Sequence, residues 1–310
     1  MKISVRNICL VVILLLILCV LFVYAIIPSS FTIQADGGIR CNTAAASRTI
    51  NYRWKDIFYR HSDTAFYLDK YAYQIKEPLY NGSRILIKKN GITYNTIFLL
   101  IPLSADSLMV HWKVDVVTGN NPLKRVFTYF TAQDLKKNMN EFVEQLQTYL
   151  SKTSNVYCYD INRTTLTDTV LVFTKQLSHL SPNVEEVYSL VVKLRNYIKE
   201  KKAKETNSPM LNVTNTDSGY LTMVGIPTNK GLPPTKEIVS KYLIPMKDKM
   251  LVTEVKGGGG TIKDAYQQVE QYMIDHSLSA PVIPFELMIT DRNRQKDTAK
   301  WVTKIFYPII

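Results

Sequence analysis

The stretch PVIPFELMITDR, residues 281–292, sets a carboxylate in the middle of an apolar segment. Apolar residues recur at every second position, which predicts a β-strand. One face of that strand would carry Ile283, Phe285, Leu287 and Ile289, and the other Glu286, Met288 and Thr290. A solvent-facing strand residue is the ordinary explanation for Glu286. A carboxylate held in an apolar pocket is the functional alternative.

The other residue types that carry out chemistry form no recognisable pattern. The four His are scattered, with no HExxH or similar metal-ligand spacing. Of the four Cys, Cys9 and Cys19 lie in an apolar N-terminal run, and the pairing of Cys41 with Cys158 stays open. The glycine run KGGGG, residues 256–260, lacks the GK[ST] ending of a phosphate loop. We therefore expect no metal and no catalytic cofactor.

The charge of the chain is basic, at +12 over 310 residues. Its densest basic run is KEKKAK, residues 199–204, at the end of an apparent helix, where cations complement the helix dipole. The sequence contains no helix-turn-helix or zinc-finger spacing. We expect no nucleic-acid partner, and the sequence leaves the oligomeric state open.

The N-terminus predicts a membrane anchor. Lys2 and Arg6 precede an uncharged apolar run from Ile8 to Ile27, about the length that crosses the ~30 Å hydrocarbon core. The positive-inside rule then keeps residues 1–7 in the cytoplasm, makes 8–28 a transmembrane helix, and places the remaining domains in the periplasm. The expected location is the cell inner membrane, in a single pass. A cleaved signal peptide, with VYA ending at residue 25, is the alternative.

Residues 31–155 predict an α+β domain. Strand-like runs at 65–77, 83–90, 92–104 and 107–118 are separated by NGS, NG and SADS, which is typical of antiparallel hairpins. A long amphipathic helix follows, with Thr131 as its predicted N-cap. The helix must bury its apolar stripe, and the sheet is the only large partner available to it.

This order of elements, together with YRWKDIF at residues 52–58, resembles the START-like (SRPBCC, helix-grip) family. The resemblance implies a curved sheet wrapped around the long helix, with a cavity for apolar ligands. The aromatic residues Trp112, Phe127, Tyr129 and Phe130 would then line that cavity, although core packing is the commoner fate of such residues.

The C-terminal half repeats itself, over about 164–228 and 249–310. Both segments predict strand, helix, strand, strand, and SPMLNVTN aligns with IPFELMIT, which sets Leu211 against Glu286. Likewise TMVGIPT aligns with TKIFYPI. Neither copy can cover its own apolar face, so we expect two β-α-β-β units joined about a pseudo-twofold axis, with a pocket at their junction.

The Gly pair, the PFELMITD strand and the closing KWVTKIFYPI resemble the gyrase-inhibitor-like, or bacterial transcription-activator effector-binding, family over residues 160–310. The resemblance implies binding of a lipophilic, often cationic, molecule between the repeats, with a buried Glu as its anionic partner. The family Glu falls on Glu286. An aromatic near the end of the charged turn falls on Trp301, and Thr261 stands where the family has Tyr. Further candidate walls are Phe285, Tyr266, Tyr188 and Tyr220.

The predicted function is therefore that of a membrane-anchored protein that binds a hydrophobic, in some cases cationic, small molecule. Glu286 is expected to have no partner until the ligand arrives. Two alternatives stay open. One is a hydrolase of reactive small molecules with Glu286 as general acid or base. The other is a membrane-bound interaction module whose cavities are filled.

Overall fold

The computed structural model describes residues 5–58, 60–61, 65–168, 170–243 and 247–310. The described chain is a mixed α+β protein with two antiparallel sheets. It divides into two compact units, Met1–Ser151 (unit 1) and Lys152–Ile310 (unit 2).

Unit 1 consists of one sheet and its helices. It begins with α1 (Val5–Ile26), β1 (Ser30–Ile39), α2 (Thr43–Tyr52) and α3 (Trp54–Ile57). The strands that follow are β2 (Arg60–His61), β3 (Phe66–Leu68), β4 (Tyr71–Leu79), β5 (Gly82–Lys89), β6 (Ile92–Ser104) and β7 (Ser107–Val117), and α4 (Pro122–Leu150) ends the unit. The seven strands lie in the order β1-β7-β6-β5-β4-β3-β2. Asn90 and Gly91 both have positive φ, as the NG signal for a tight hairpin requires.

Helix α4 begins nine residues earlier than the predicted cap at Thr131. Asn121 is its N-cap and accepts a hydrogen bond from the backbone N–H of Lys124 at 3.0 Å. Pro122 occupies the first turn, where its missing N–H costs nothing. The hydroxyl of Thr131 instead donates to the carbonyl of Phe127 within the helix.

The predicted membrane anchor is not supported. Across the part of the chain that the structure describes, no helix has both the length and the apolarity needed to cross a membrane. The single-pass inner-membrane location, with its 8–28 span and periplasmic domains, is therefore wrong by this test. A span needs both properties sustained together along one helix, and the sequence prediction inferred them from an apolar run alone. Of the expected cytoplasmic segment 1–7, residues 1–4 lie outside the described residues and 5–7 belong to α1.

The interior of unit 1 is a cluster of aromatic rings between α4 and the sheet. Phe142 of α4 is 1% exposed, and its ring centroid lies 4.9–6.1 Å from those of Phe58, Phe66, Tyr73, Phe98 and Trp112. Trp112 is thus a core residue, and its indole N–H donates to Thr96 Oγ1 at 2.8 Å. By contrast, Phe127 and Phe130 are each 66% exposed. The six aromatic rings of this cluster therefore pack against one another in the space between α4 and the sheet.

Unit 2 contains the strand-helix-strand-strand order twice. After α5 (Thr153–Tyr157) and β8 (Asn162–Thr164), the first copy is β9 (Val170–Ser178), α6 (Val184–Glu200), β10 (Met210–Thr216) and β11 (Gly219–Pro227). An edge strand, β12 (Ile238–Tyr242), intervenes. The second copy is β13 (Met250–Lys256), α7 (Gly259–Asp275), β14 (Phe285–Met288) and β15 (Val302–Pro308). Helices α6 and α7 both have 17 residues, and Gly259 and Gly260 of the glycine run belong to the first turn of α7.

The eight strands of unit 2 form one sheet in the order β12-β9-β11-β10-β14-β15-β13-β8. The order is symmetric about its centre. From the outside inward, the first copy contributes β9, β11 and β10, and the second contributes β13, β15 and β14. The innermost strands, β10 and β14, pair antiparallel with each other. Helix α6 buries Val191 and Leu194 against Val172, Val224 and Ile226 of its own copy. The junction of the two copies is therefore the β10–β14 pair.

Candidate functional site

Glu286 lies at the centre of the junction between the two copies. In the β10–β14 pair, Leu211 is directly opposite Glu286 and Met210 is opposite Leu287. Leu211 is also the residue that the repeat alignment matches to Glu286. Two matched residues can face each other in an antiparallel pair only where the axis that relates the copies passes between them. We call this place the seam.

The side chain of Glu286 points to the helix side of the sheet. Residues directly opposite each other on neighbouring antiparallel strands share a face. Leu211 is 4% exposed and belongs to the core cluster under α6, and Ile305, opposite Glu286 on β15, is 1% exposed. The carboxylate is thus set among buried aliphatic side chains, with 16% of its side chain exposed.

Glu286 is paired with Arg292. Arg292 Nη2 donates to Glu286 Oε2 at 2.7 Å and to Thr303 Oγ1 at 2.8 Å, and the Arg292 side chain is 9% exposed. The expectation of a carboxylate without a partner is therefore wrong. The chain turns back after β14 and brings the guanidinium of Arg292 into the seam. Strand periodicity does not predict this placement.

Tyr188 positions the turn that carries Arg292. The backbone N–H of Arg292 donates to the hydroxyl oxygen of Tyr188 at 2.7 Å, and that hydroxyl donates to the carbonyl of Thr290 at 3.4 Å. Tyr188 is 5% exposed and comes from α6 of the first copy. A residue predicted as a ligand wall therefore also fixes the backbone on which the guanidinium is mounted.

Trp301 forms the floor beneath Arg292. The guanidinium carbon lies 5.0 Å from the centroid of the indole ring, within cation–π range. The indole N–H donates to the carbonyl of Gln295 at 2.8 Å, which fixes the ring plane, and Trp301 is 8% exposed. The seam thus holds a cation between a carboxylate and an aromatic face.

Tyr266 of α7 approaches the seam from the second copy. Its ring lies 5.7 Å from that of Tyr307. Burial raises the pKa of Tyr266 well above its ordinary value, and the nearby charge of Glu286 raises it further. The two copies therefore each bring a tyrosine to the seam, Tyr188 at the backbone of Arg292 and Tyr266 near Glu286.

Tyr266 should make unit 2 lose stability above about pH 10, the ordinary tyrosine pKa. Its pKa is higher in the folded state, so the stability is complete below the unfolded pKa and falls as pH rises toward the folded one, by about 1.4 kcal/mol per pH unit. Denaturant unfolding at pH 8 and pH 11 measures the loss, which should be smaller in Tyr266→Phe. Equal losses in the two proteins would contradict the assignment.

The other two predicted walls lie elsewhere. Phe285 faces the opposite side of the sheet from Glu286 and stacks on Phe306, with ring centroids 5.1 Å apart and planes 9° from parallel. Tyr220 is the second residue of β11 and lies opposite Asn215 and Ser178. It is four residues from Val224, the neighbour of Leu211, which is roughly 13 Å along the strand. The structure brings together Glu286, Trp301, Tyr266 and Tyr188, and separates Phe285 and Tyr220 from them.

Sequence reasoning missed Arg292 and Thr303. Arg292 closes the quoted PVIPFELMITDR stretch, six residues after Glu286, and was counted only as part of a charged turn. Arg292 lies four residues beyond the end of β14, so the strand pattern gave no signal for its pairing with Glu286.

A small hollow adjoins the seam on the α6 side. It has a volume of about 140 Å³, and its walls include Pro182, Val187, Tyr188, Leu211 and Arg292. Among the residues described, Arg292 Nε is a buried donor with no hydrogen-bond partner. Leaving a donor unpaired costs roughly 1–3 kcal/mol. Within the same residues, no group of three or more His, Cys, Asp or Glu is placed to hold a metal ion.

Comparisons with known proteins close the description of the site. No family model matches the chain, and no curated protein matches it. Among solved structures, it is similar to EcmrR in a DNA complex with RPo (TM-score 0.44, 14% identity, 61% of this chain and 72% of that one). It is also similar to the EcmrR C-terminal domain (TM-score 0.39, 15% identity, 49% and 98%) and to SAV2435 bound to tetraphenylphosphonium (TM-score 0.32, 12% identity, 49% and 93%).

Proposed function

We propose that unit 2 is a small-molecule-binding domain, and that its ligand is an apolar molecule whose cationic group takes the place of Arg292 in the seam. The observation that carries the proposal is the guanidinium itself, held 2.7 Å from Glu286 and 5.0 Å from the Trp301 ring. These are the two partners that a lipophilic cation needs, a carboxylate and an aromatic face.

The exchange of one cation for another is energetically feasible. A buried ion pair contributes little net stability, because desolvation of the two charges offsets most of their attraction. Glu286 keeps 16% of its side chain exposed, so the carboxylate is not sealed from water. A quaternary ammonium has no N–H donors, whereas Arg292 leaves its Nε buried without a partner among the described residues. It would keep the attraction to Glu286 and Trp301 and leave no unpaired donor in the seam.

The ion pair also supports a second candidate, an interaction module in which Arg292 permanently fills the seam. A filled seam has no need of a ligand, and its charges serve to fix the two copies against each other. The two candidates differ in whether a foreign cation can displace Arg292.

For unit 1 we propose only the START-like architecture, on the order of its elements and the packing of α4 against its sheet. The aromatic cluster around Phe142 occupies the place where that family would hold a ligand. Ligand binding is therefore proposed for unit 2.

The wild-type chain should bind phenyltrimethylammonium at least tenfold more tightly than tert-butylbenzene. The two molecules have nearly the same shape and differ in charge, so the ratio isolates the contribution of Glu286 and Trp301. Isothermal titration calorimetry gives both affinities, and thermal shift gives an independent measure, since a ligand of the folded state raises the Tm.

Two variants serve as controls. Glu286→Gln keeps the shape of the side chain and should reduce the tenfold preference to nearly one. Glu270→Gln, on α7, removes a carboxylate that is engaged with Tyr307 and should leave the preference intact. If neither probe binds the wild-type chain, the seam is permanently filled and the interaction module is the better description.

A further inference from the structure

The sheet of unit 2 carries a second hollow on the face away from the helices, and we call it the far-face hollow. Its volume is about 400 Å³, within the range of small-molecule sites. Its lining is almost entirely apolar and includes Leu171, Phe173, Met210, Met223 and Phe285. It lies on the opposite side of the sheet from Glu286.

Around the far-face hollow the two copies differ at two matched positions. In the second copy, Phe306 stacks on Phe285 across the β14–β15 pair. In the first copy the matched residues are Gly225 and Met210, which are likewise opposite each other. Gly225 has no side chain, and the Leu171 side chain packs over it, with three of its carbons 2.8–3.0 Å from where a Cβ would stand. An isobutyl group is smaller than a phenyl ring, so side chains fill less of this face in the first copy than in the second.

The mouth of the far-face hollow is positively charged. Lys241, on the edge strand β12, lies opposite Leu171, and its ammonium is 5.3 Å from the centroid of the Phe173 ring. Lys241 is the single charged residue among the described residues that line the hollow. Lys175 lies directly opposite Met223 and shares its face, which adds a second cation near the hollow.

We propose that the far-face hollow binds a free single-chain amphipath with an anionic head, such as a medium-chain carboxylate. The alkyl chain lies against Leu171 between Phe173, Met210 and Phe285, where each buried methylene strengthens binding. The head lies at Lys241, where its charge is complementary to the mouth and water still reaches it. This site is independent of the seam and of the function proposed for it.

The test uses the full chain with decanoate and decyltrimethylammonium, both below their micelle concentrations, in isothermal titration calorimetry. Decanoate should bind saturably, at least fivefold more tightly than the cation of equal chain length. Octanoate should bind roughly tenfold more weakly than decanoate, because two methylenes are lost. Equal affinity for the two head charges would overturn the anionic assignment, and unsaturable binding would overturn the site.

Two substitutions locate the binding. Gly225→Phe should abolish it, by supplying the ring that the second copy has. Its Cβ would come within 2.8–3.0 Å of Leu171 Cδ1, Cδ2 and Cγ, so the Leu171 side chain has to turn away to admit the ring. Adsorption to other apolar surfaces, such as the exposed side chains of α1, would survive this substitution and would overturn the proposal.

The second substitution tests the binding of the head group. Its outcome does not depend on whether the fold tolerates Phe at position 225. Lys241→Met should weaken decanoate binding about fivefold, as expected for a partly exposed ion pair. The matched Lys263→Met, on the exposed face of α7, should leave it unchanged. Glu286→Gln should also leave it unchanged, and loss of binding there would place decanoate in the seam and refute the far-face site.

Discussion

Replacing Phe142 by alanine is expected to lower the free energy of unfolding of unit 1 by about 4 kcal/mol. Phe142 is 1% exposed, and its ring contacts five other rings that come from the sheet and its flanking segments. Truncation removes the buried apolar area and leaves a cavity that the five remaining rigid aromatic side chains cannot readily close.

Denaturant unfolding followed by tryptophan fluorescence measures this effect, because Trp54 and Trp112 report on unit 1 and Trp301 on unit 2. The matched control is Phe130→Ala on the same helix. Phe130 is 66% exposed, so its loss should change stability by no more than about 0.5 kcal/mol. Similar losses from the two substitutions would mean that the aromatic cluster is not the core of unit 1.

Arg292→Met should destabilise unit 2 by about 3 kcal/mol, because it leaves Glu286 in the seam without its cation. The carboxylate has only 16% of its side chain exposed and has Leu211 and Ile305 as strand neighbours, so water cannot fully replace the guanidinium. The same substitution should tighten the binding of phenyltrimethylammonium by about tenfold, since no internal cation then competes for Glu286.

Chemical unfolding of three further variants separates these effects. Arg294→Met, two residues along the same turn, removes a cation with a 90% exposed side chain and should cost less than about 0.5 kcal/mol. The double change Glu286→Leu with Arg292→Met gives the seam a second leucine opposite Leu211 and should recover most of the lost stability. If Arg292→Met is as stable as the wild type and binds no cation better, the ion pair has neither role.

The repeat in the C-terminal half could be recognised in the sequence, and it was sufficient to locate the seam. Matching SPMLNVTN to IPFELMIT set Leu211 against Glu286, and the structure pairs those two residues across β10 and β14. Strand alternation likewise placed Phe285 and Glu286 on opposite faces. Naming both as walls of one pocket contradicted that alternation, and the structure divides them accordingly.

The location of the N-terminal segment was not determined in the same way. An apolar run predicts a helix, and α1 is one. The inference from that run to a membrane span was not supported by the helices of the described residues. Asn121 and Pro122 are residue types that favour the start of a helix, and they mark the start of α4. The prediction instead followed the apolar stripe, which begins farther along the chain.

The sequence by itself determined the elements, the duplication and the strand position of Glu286, because these depend on periodicity and on contacts within a few residues. Only the tertiary structure decided that Arg292 returns to Glu286 over the Trp301 ring, and that an apolar hollow lies on the other face between Phe173, Met210 and Phe285. Both depend on how a turn and a distant strand are placed in space. No local pattern encodes such a placement, because the free energy that fixes it comes from packing between segments far apart in the chain.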